Sequence, residues 1–247
     1  MRTLQRIAVA VLAVMVLSAP VAVADEKRGG ADRLVSVVPA GRVQGQTGGR
    51  LLGDWFVENL SLPATAAPFN ATANLCLDIG RRDRVLSPAG GLADANGVIE
   101  MTCTVQRGRP VVLVLSSADC SSAEPPPFLA TTAREQRACA LRNLNSIGIT
   151  SIDISVDGGP AVDVFQQRFL EVSRQRHVVF PADPVFGAQP GPATFVAAAW
   201  MAEIVGMRRG DHTVTTTTRA VVEGKEVTLQ FIVHFEVVGG HGGHHGH

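Results

Sequence analysis

The sequence predicts a mainly β, sandwich-like domain with one or two short helices and a set of disulfides. Three observations predict it. Short runs of β-branched and aromatic residues recur between turns rich in Gly, Pro and Asp. Only Thr132–Ser146 has both a helix start and a helix stop, too little helix for a sheet built of alternating strands and helices. Four cysteines follow a leader-like N-terminus, a setting in which bridges restrain an irregular domain. An open α/β enzyme fold is the competing architecture.

Residues 1–24 read as a secretory leader. Arg2 and Arg6 precede the apolar run Ile7–Leu17, and Ala22-Val23-Ala24 has the small-x-small form of a cleavage site. An uncleaved anchor is the competing reading, but the run is short of the ~20 apolar residues a span needs. Two of the 22 Lys+Arg (Arg2 and Arg6) lie in the leader, which leaves 20 against 22 Asp+Glu, a formal charge of −2. No basic field points to nucleic acid, and no later stretch reads as a transmembrane span. The expected location is a bacterial periplasm, cell surface or extracellular space, in keeping with the strong preference for arginine over lysine.

Residues 25–50 read as a flexible N-terminal segment with a possible short strand, Leu34–Val38, before Pro39. Gly41–Arg50, with four glycines, reads as loop. The β-rich domain then runs over residues 51–238. Leu51, Leu52, Trp55, Phe56 and Leu60 recur at helical spacing until Pro63. Trp55 has two readings, a ligand platform or, preferred, a packing anchor beside Phe56. Ser61–Asn74 is a connection rich in Pro, Ala, Thr and Asn; the Asn59-Leu-Ser and Asn70-Ala-Thr triplets read as chance glycosylation matches.

Met101–Ser121 reads as strand, turn (Arg107-Gly108-Arg109-Pro110), apolar strand and cysteine-bearing loop, followed by three successive prolines. Thr132 and Glu135 have capping-box spacing, so a helix is expected to about Ser146, with Gly148 closing it. Ile149–Val156 alternates, followed by the turn Asp157-Gly158-Gly159 and Val162–Phe165. Phe169–Ser173 and His177–Phe180 are short strands, and Pro181–Pro192 is a loop. Thr194–Gly206 is nearly uncharged and rich in alanine; strand and helix both stay open. Asp211–Arg219 and Val227–Val238 form a terminal hairpin around Glu223-Gly224-Lys225. Phe231 and Phe235 mark the apolar face of its last strand.

Cys76, Cys103, Cys120 and Cys139 allow three pairings. Sequential bridges close the shortest loops and are preferred. A zinc or redox site is disfavoured because no C-x-x-C unit or nearby Cys/His cluster accompanies them.

The order of motifs resembles an uncharacterised group of secreted bacterial proteins. Trp55 through Ser61-Leu62-Pro63, Cys76, and Cys103-Thr104-Val105 with Gly108-Arg109 carry the first part. Cys120, Pro125–Phe128, Arg137-Ala138-Cys139-Ala140 and Gly210-Asp211-His212-Thr213 carry the rest, so the likeness covers roughly residues 51–238. The group often has a second Trp where Phe56 stands, and Phe-Phe-Pro where this chain has Val-Leu-Val-Leu. The resemblance implies export and architecture, not an activity.

Chemically, the tail of residues 239–247 is the most distinctive feature. His241, His244, His245 and His247 are candidate ligands for zinc, copper or nickel, binding while neutral and releasing the metal on protonation. The competing reading is a flexible tail or appended run without metal function. No cofactor is required by the rest of the chain. His177, His212 and His234 are acid–base candidates, but no nucleophile elbow, metal motif or nucleotide loop accompanies them. Ser116, Ser117 and Asp119 read as a hydroxyl-rich loop, and Asp153 and Asp157 as solvent-facing. The expected function is recognition of an envelope or extracellular ligand through loops 61–74, 121–128 and 181–192, on a rigid scaffold. An extracytoplasmic enzyme is the alternative.

Overall fold

The computed structural model describes residues 35–69 and 74–239. The leader, Asn70 and the four tail histidines lie outside the described residues. In chain order the elements are β1 (Ser36–Pro39), β2 (Arg42–Val43), β3 (Gln46–Thr47), α1 (Gly48–Leu60), β4 (Leu75–Ile79), β5 (Val85–Ala89), β6 (Val98–Gln106) and β7 (Val111–Ser121). They continue as α2 (Ala133–Ser146), β8 (Ile149–Val156), β9 (Val162–Asp163), β10 (Leu170–Val172), β11 (Arg176–Phe180), β12 (Gly191–Val205), β13 (Gly210–Val222) and β14 (Lys225–Val238).

The alanine-rich run is a strand. β12 pairs with β7 along one side; along the other it takes β11, β10 and β1 in succession, all antiparallel. β5 and β4 complete this first sheet, in the order β1-β12-β7-β5-β4. Alanine's helix propensity, a preference of at most ~1 kcal/mol per residue, is overridden by burial on both faces. Ala197, Ala199 and Met201 pack toward α1, while Ala198, Trp200, Ala202 and Ile204 pack toward the second sheet.

That second sheet has the order β6-β14-β13-β8-β9. Its apolar face, including Ile152, Ile154, Val214, Val233 and Phe235, closes on the first sheet together with Ala140 and Leu144 of α2. The molecule is thus a sandwich with α1 as a third layer on the outer face of the first sheet. Trp55 and Phe56 are buried in that layer; Phe235 is buried between the sheets and Phe231 is half-buried there.

The Met101–Ser121 stretch does run strand, turn, strand, but its strands belong to different sheets. β6 lies parallel to β14 at one edge of the second sheet, and β7 lies beside β12 in the first. The turn Gln106–Arg109, with Gly108 at φ +81°, is the corner between sheets. Cys120 sits on β7 rather than in a loop.

Residues 41–50, read as loop, form the β2–β3 hairpin and the first turn of α1. Thr47 caps that helix by accepting from Arg50 N at 3.3 Å. α2 has the expected capping box, with Glu135 N donating to Thr132 Oγ1 (3.3 Å) and Thr132 N to Glu135 Oε2 (3.0 Å). Both bridges follow the sequential pairing, Cys76–Cys103 and Cys120–Cys139. No described helix is long and apolar enough to cross a membrane.

Candidate recognition surface

The C-terminal end of α1 points at a place where three connections meet. Pro63 follows the helix, and Ala64 N donates to Asp183 O at 2.8 Å, tying the segment after α1 to the β11–β12 connection. Gln189 N donates to Ala123 O at 2.8 Å, tying the same connection to the segment after β7. Aromatic contacts reinforce the first tie: Phe69 lies 5.1 Å from Phe186, 5.7 Å from Trp55 and 6.1 Å from Phe56, centroid to centroid. The described parts of the three expected loops therefore form one connected end of the molecule.

The base of the middle loop is held firmly. Ser121 Oγ accepts from Ala123 N and Glu124 N, at 3.2 and 3.0 Å, which turns the chain out of β7. Ser121 N donates to Phe128 O and Ala130 N returns a bond to Ser121 O, closing the loop on itself. Beneath it, Cys120–Cys139 fastens β7 to α2, and the buried Gln136 side chain donates to Ala130 O (3.0 Å) and Thr194 O (2.8 Å). Phe128 and Leu129 on this restrained loop, and Phe186 on the β11–β12 connection, remain exposed, at 39%, 48% and 40%. Large apolar side chains left in water on a fixed scaffold mark a surface suited to contact.

Sequence reasoning missed a pair of buried carboxyls under the same loop. Asp119 and Glu124 are 6% and 3% exposed. Burial, and then the charge of Glu124, holds Asp119 well above the usual carboxylate range. Burial pushes Glu124 up to about 7, against the opposing hydrogen bonds from Ser121 and Asp119. Two carboxyls in a dry site do not both ionise readily, so Asp119 keeps its proton and donates toward Glu124. Nothing in the local sequence signals this, because desolvation comes from distant packing.

The acid–base candidates do not come together. His212 places Nδ1 2.7 Å from Asp157 Oδ2 and Nε2 3.0 Å from Arg208 O. His234 places Nε2 2.8 Å from Glu100 Oε1 and Nδ1 3.1 Å from Thr213 Oγ1, joining β14 to both of its neighbours. In each ring both nitrogens are engaged within the fold. His177 is exposed on β11. Asp153 pairs with Arg219 at 3.0 Å, and Asp157 also accepts from Thr213 N. Asn59 is fully buried and donates to Trp55 O, so its glycosylation triplet is closed to modification. All four cysteines are bridged, which removes the cysteine zinc and thiol-redox readings. Among the described residues no group of three or more His, Cys, Asp or Glu could hold a metal ion.

No protein-family model matches the chain, and no curated protein matches it. Among solved structures, PbICP-C in complex with falcipain-2 is similar at a TM-score of 0.25 and 10% identity, over 63% of this chain and 99% of that one. The solution structure of amebosin is similar at a TM-score of 0.19 and 12% identity, over 56% and 96%. Neither likeness reaches a shared fold.

Proposed function

We propose that the protein is an exported, non-enzymatic recognition module that contacts an envelope or extracellular partner through its loop end. The observation that carries this is the joining of three connections, two of which carry the exposed Phe128, Leu129 and Phe186, over a base fixed by a disulfide and a buried glutamine. The leader-like N-terminus, the two bridges and the resemblance to secreted bacterial proteins support the extracytoplasmic setting.

The test compares the natural chain with a Phe128→Ser/Leu129→Ser/Phe186→Ser variant, both checked for folding by circular dichroism. Saturable binding to washed envelopes of the producing cells, or to components of their conditioned medium, is expected of the natural chain. It should drop by about tenfold or more in the variant if these side chains form the contact core. Equal binding by both, or no saturable binding by the natural chain, would sink the proposal.

A further inference from the structure

At the opposite end of α1 from the loop surface lies a cleft of about 590 Å³. Four arginines from three separated segments line it: Arg50 on α1, Arg81 after β4, and Arg174 and Arg176 around the β10–β11 junction. Local chain geometry puts them there. Ser173 stays in register with β12, accepting from Ala197 N and donating to Ala197 O, and the chain then bulges outward at Arg174 and Gln175 before β11 resumes. Opposite, Gln46 Oε1 accepts from Arg81 N at 2.7 Å and fixes the turn that carries Arg81.

The charges do not cancel. Asp54 is shared by Arg50, at 3.6 Å, and by Arg176. Glu171 accepts a backbone bond from Gly49 and so occupies the start of α1. Arg81 and Arg174 have no carboxylate partner among the described residues. Among the described side chains, four guanidinium groups therefore face two carboxyls, leaving two positive charges in a concave site. The volume lies within the range of small-molecule sites, roughly 300–1,000 Å³. Guanidinium groups favour oxyanions that accept two parallel bonds, and of the common ones a phosphomonoester carries about −1.5 to −2 near neutral pH.

From this juxtaposition we infer that the cleft binds a dianionic phosphoryl group carried on a small molecule or a lipid headgroup. The site is independent of the loop surface.

Calorimetric titration with glycerol phosphate, and flotation with phosphatidylcholine vesicles with and without phosphatidic acid, test it. Arg81→Gln/Arg174→Gln should weaken binding about tenfold or more, since each lost charge-assisted contact is worth at least that factor. Arg137→Gln/Arg142→Gln, on the exposed face of α2, should leave it unchanged and controls for diffuse charge. Binding of glycerol phosphate assigns a soluble ligand, and binding only to phosphatidic acid vesicles assigns a headgroup. No binding of either probe, or equal weakening by the two double variants, overturns the inference.

Discussion

Glu124 links one residue's chemistry to the loop it anchors. Its carboxyl has a usual value of 4.5, and in the fold it is pushed up to about 7 by burial. Below pH 4.5 the folded and unfolded chains both hold the proton, and the group adds no pH dependence. As pH rises toward 7 the unfolded chain loses its proton first, so the folded state loses relative stability across that window and levels off above it. Asp119, which burial and the charge of Glu124 also hold well above the usual carboxylate range, acts in the same direction. Replacing Glu124 by Gln keeps the shape and removes the ionisation. Between pH 5 and pH 8 the natural chain should lose ~1–3 kcal/mol more than Glu124→Gln. Each tenfold difference in proton affinity between the folded and unfolded chains is worth ~1.4 kcal/mol, and the proton shared with Asp119 sets how much of it is felt. Urea unfolding of both proteins at the two pH values reads this difference. Parallel changes in the two would mean that the pair is not a linked titration site.

At the scale of elements, the sequence was most legible where order is local. The ends of α2 follow from Thr132, Glu135 and Gly148, and β8 from the alternation of Ile152 and Ile154 with polar neighbours. It was least legible at residues 41–50, where glycine density reads as loop but Gly48 and Gly49 mark close packing. A Cβ at Gly49 would lie 2.4 Å from Val172 O, and one at Gly48 2.6 Å from Ala40 O. α1 can lie this near β10 only without those side chains. Gly49→Ala therefore sets two effects against each other. Helix propensity favours Ala by ~1 kcal/mol, whereas forcing a methyl against a backbone carbonyl costs ~1–3 kcal/mol or more. The clash should win, with net destabilisation. Gly53→Ala should cost less than Gly49→Ala, because its Cβ meets a side-chain atom, Arg176 Cγ at 2.9 Å, and not a backbone carbonyl. Urea midpoints of the two variants decide, and a Gly49→Ala protein at least as stable as the natural one would contradict the packing account.

Over the whole molecule, strand existence was readable and sheet membership was not. Met101–Ser121 has the composition of a hairpin, yet its halves lie in opposite sheets. The parallel register of Met101 with Val233 joins residues too distant for any local pattern to signal. The candidate sites follow the same rule. Loop composition was visible in advance, while the buried Asp119–Glu124 pair and the arginine cleft exist only once separate segments meet. The two disulfides show what this topology requires. Cys76 on β4 and Cys103 on β6 join the facing edges of the two sheets, beside Asn74 Nδ2 donating to Glu100 O at 2.9 Å. Cys120–Cys139 instead joins β7 to α2 under the loop surface. With sequence separations of 27 and 19, loop entropy assigns each a similar ~3–4 kcal/mol. Their removal should thus cost alike in global stability and differ in location. In Cys76→Ala/Cys103→Ala, amide exchange should rise in β4 and β6 while the binding of the loop end persists. In Cys120→Ala/Cys139→Ala, exchange should rise in residues 121–130 and α2, and loop-end binding should weaken. The same exchange pattern in both variants would show that the bridges act on one cooperative unit and not on two separate parts of the sandwich.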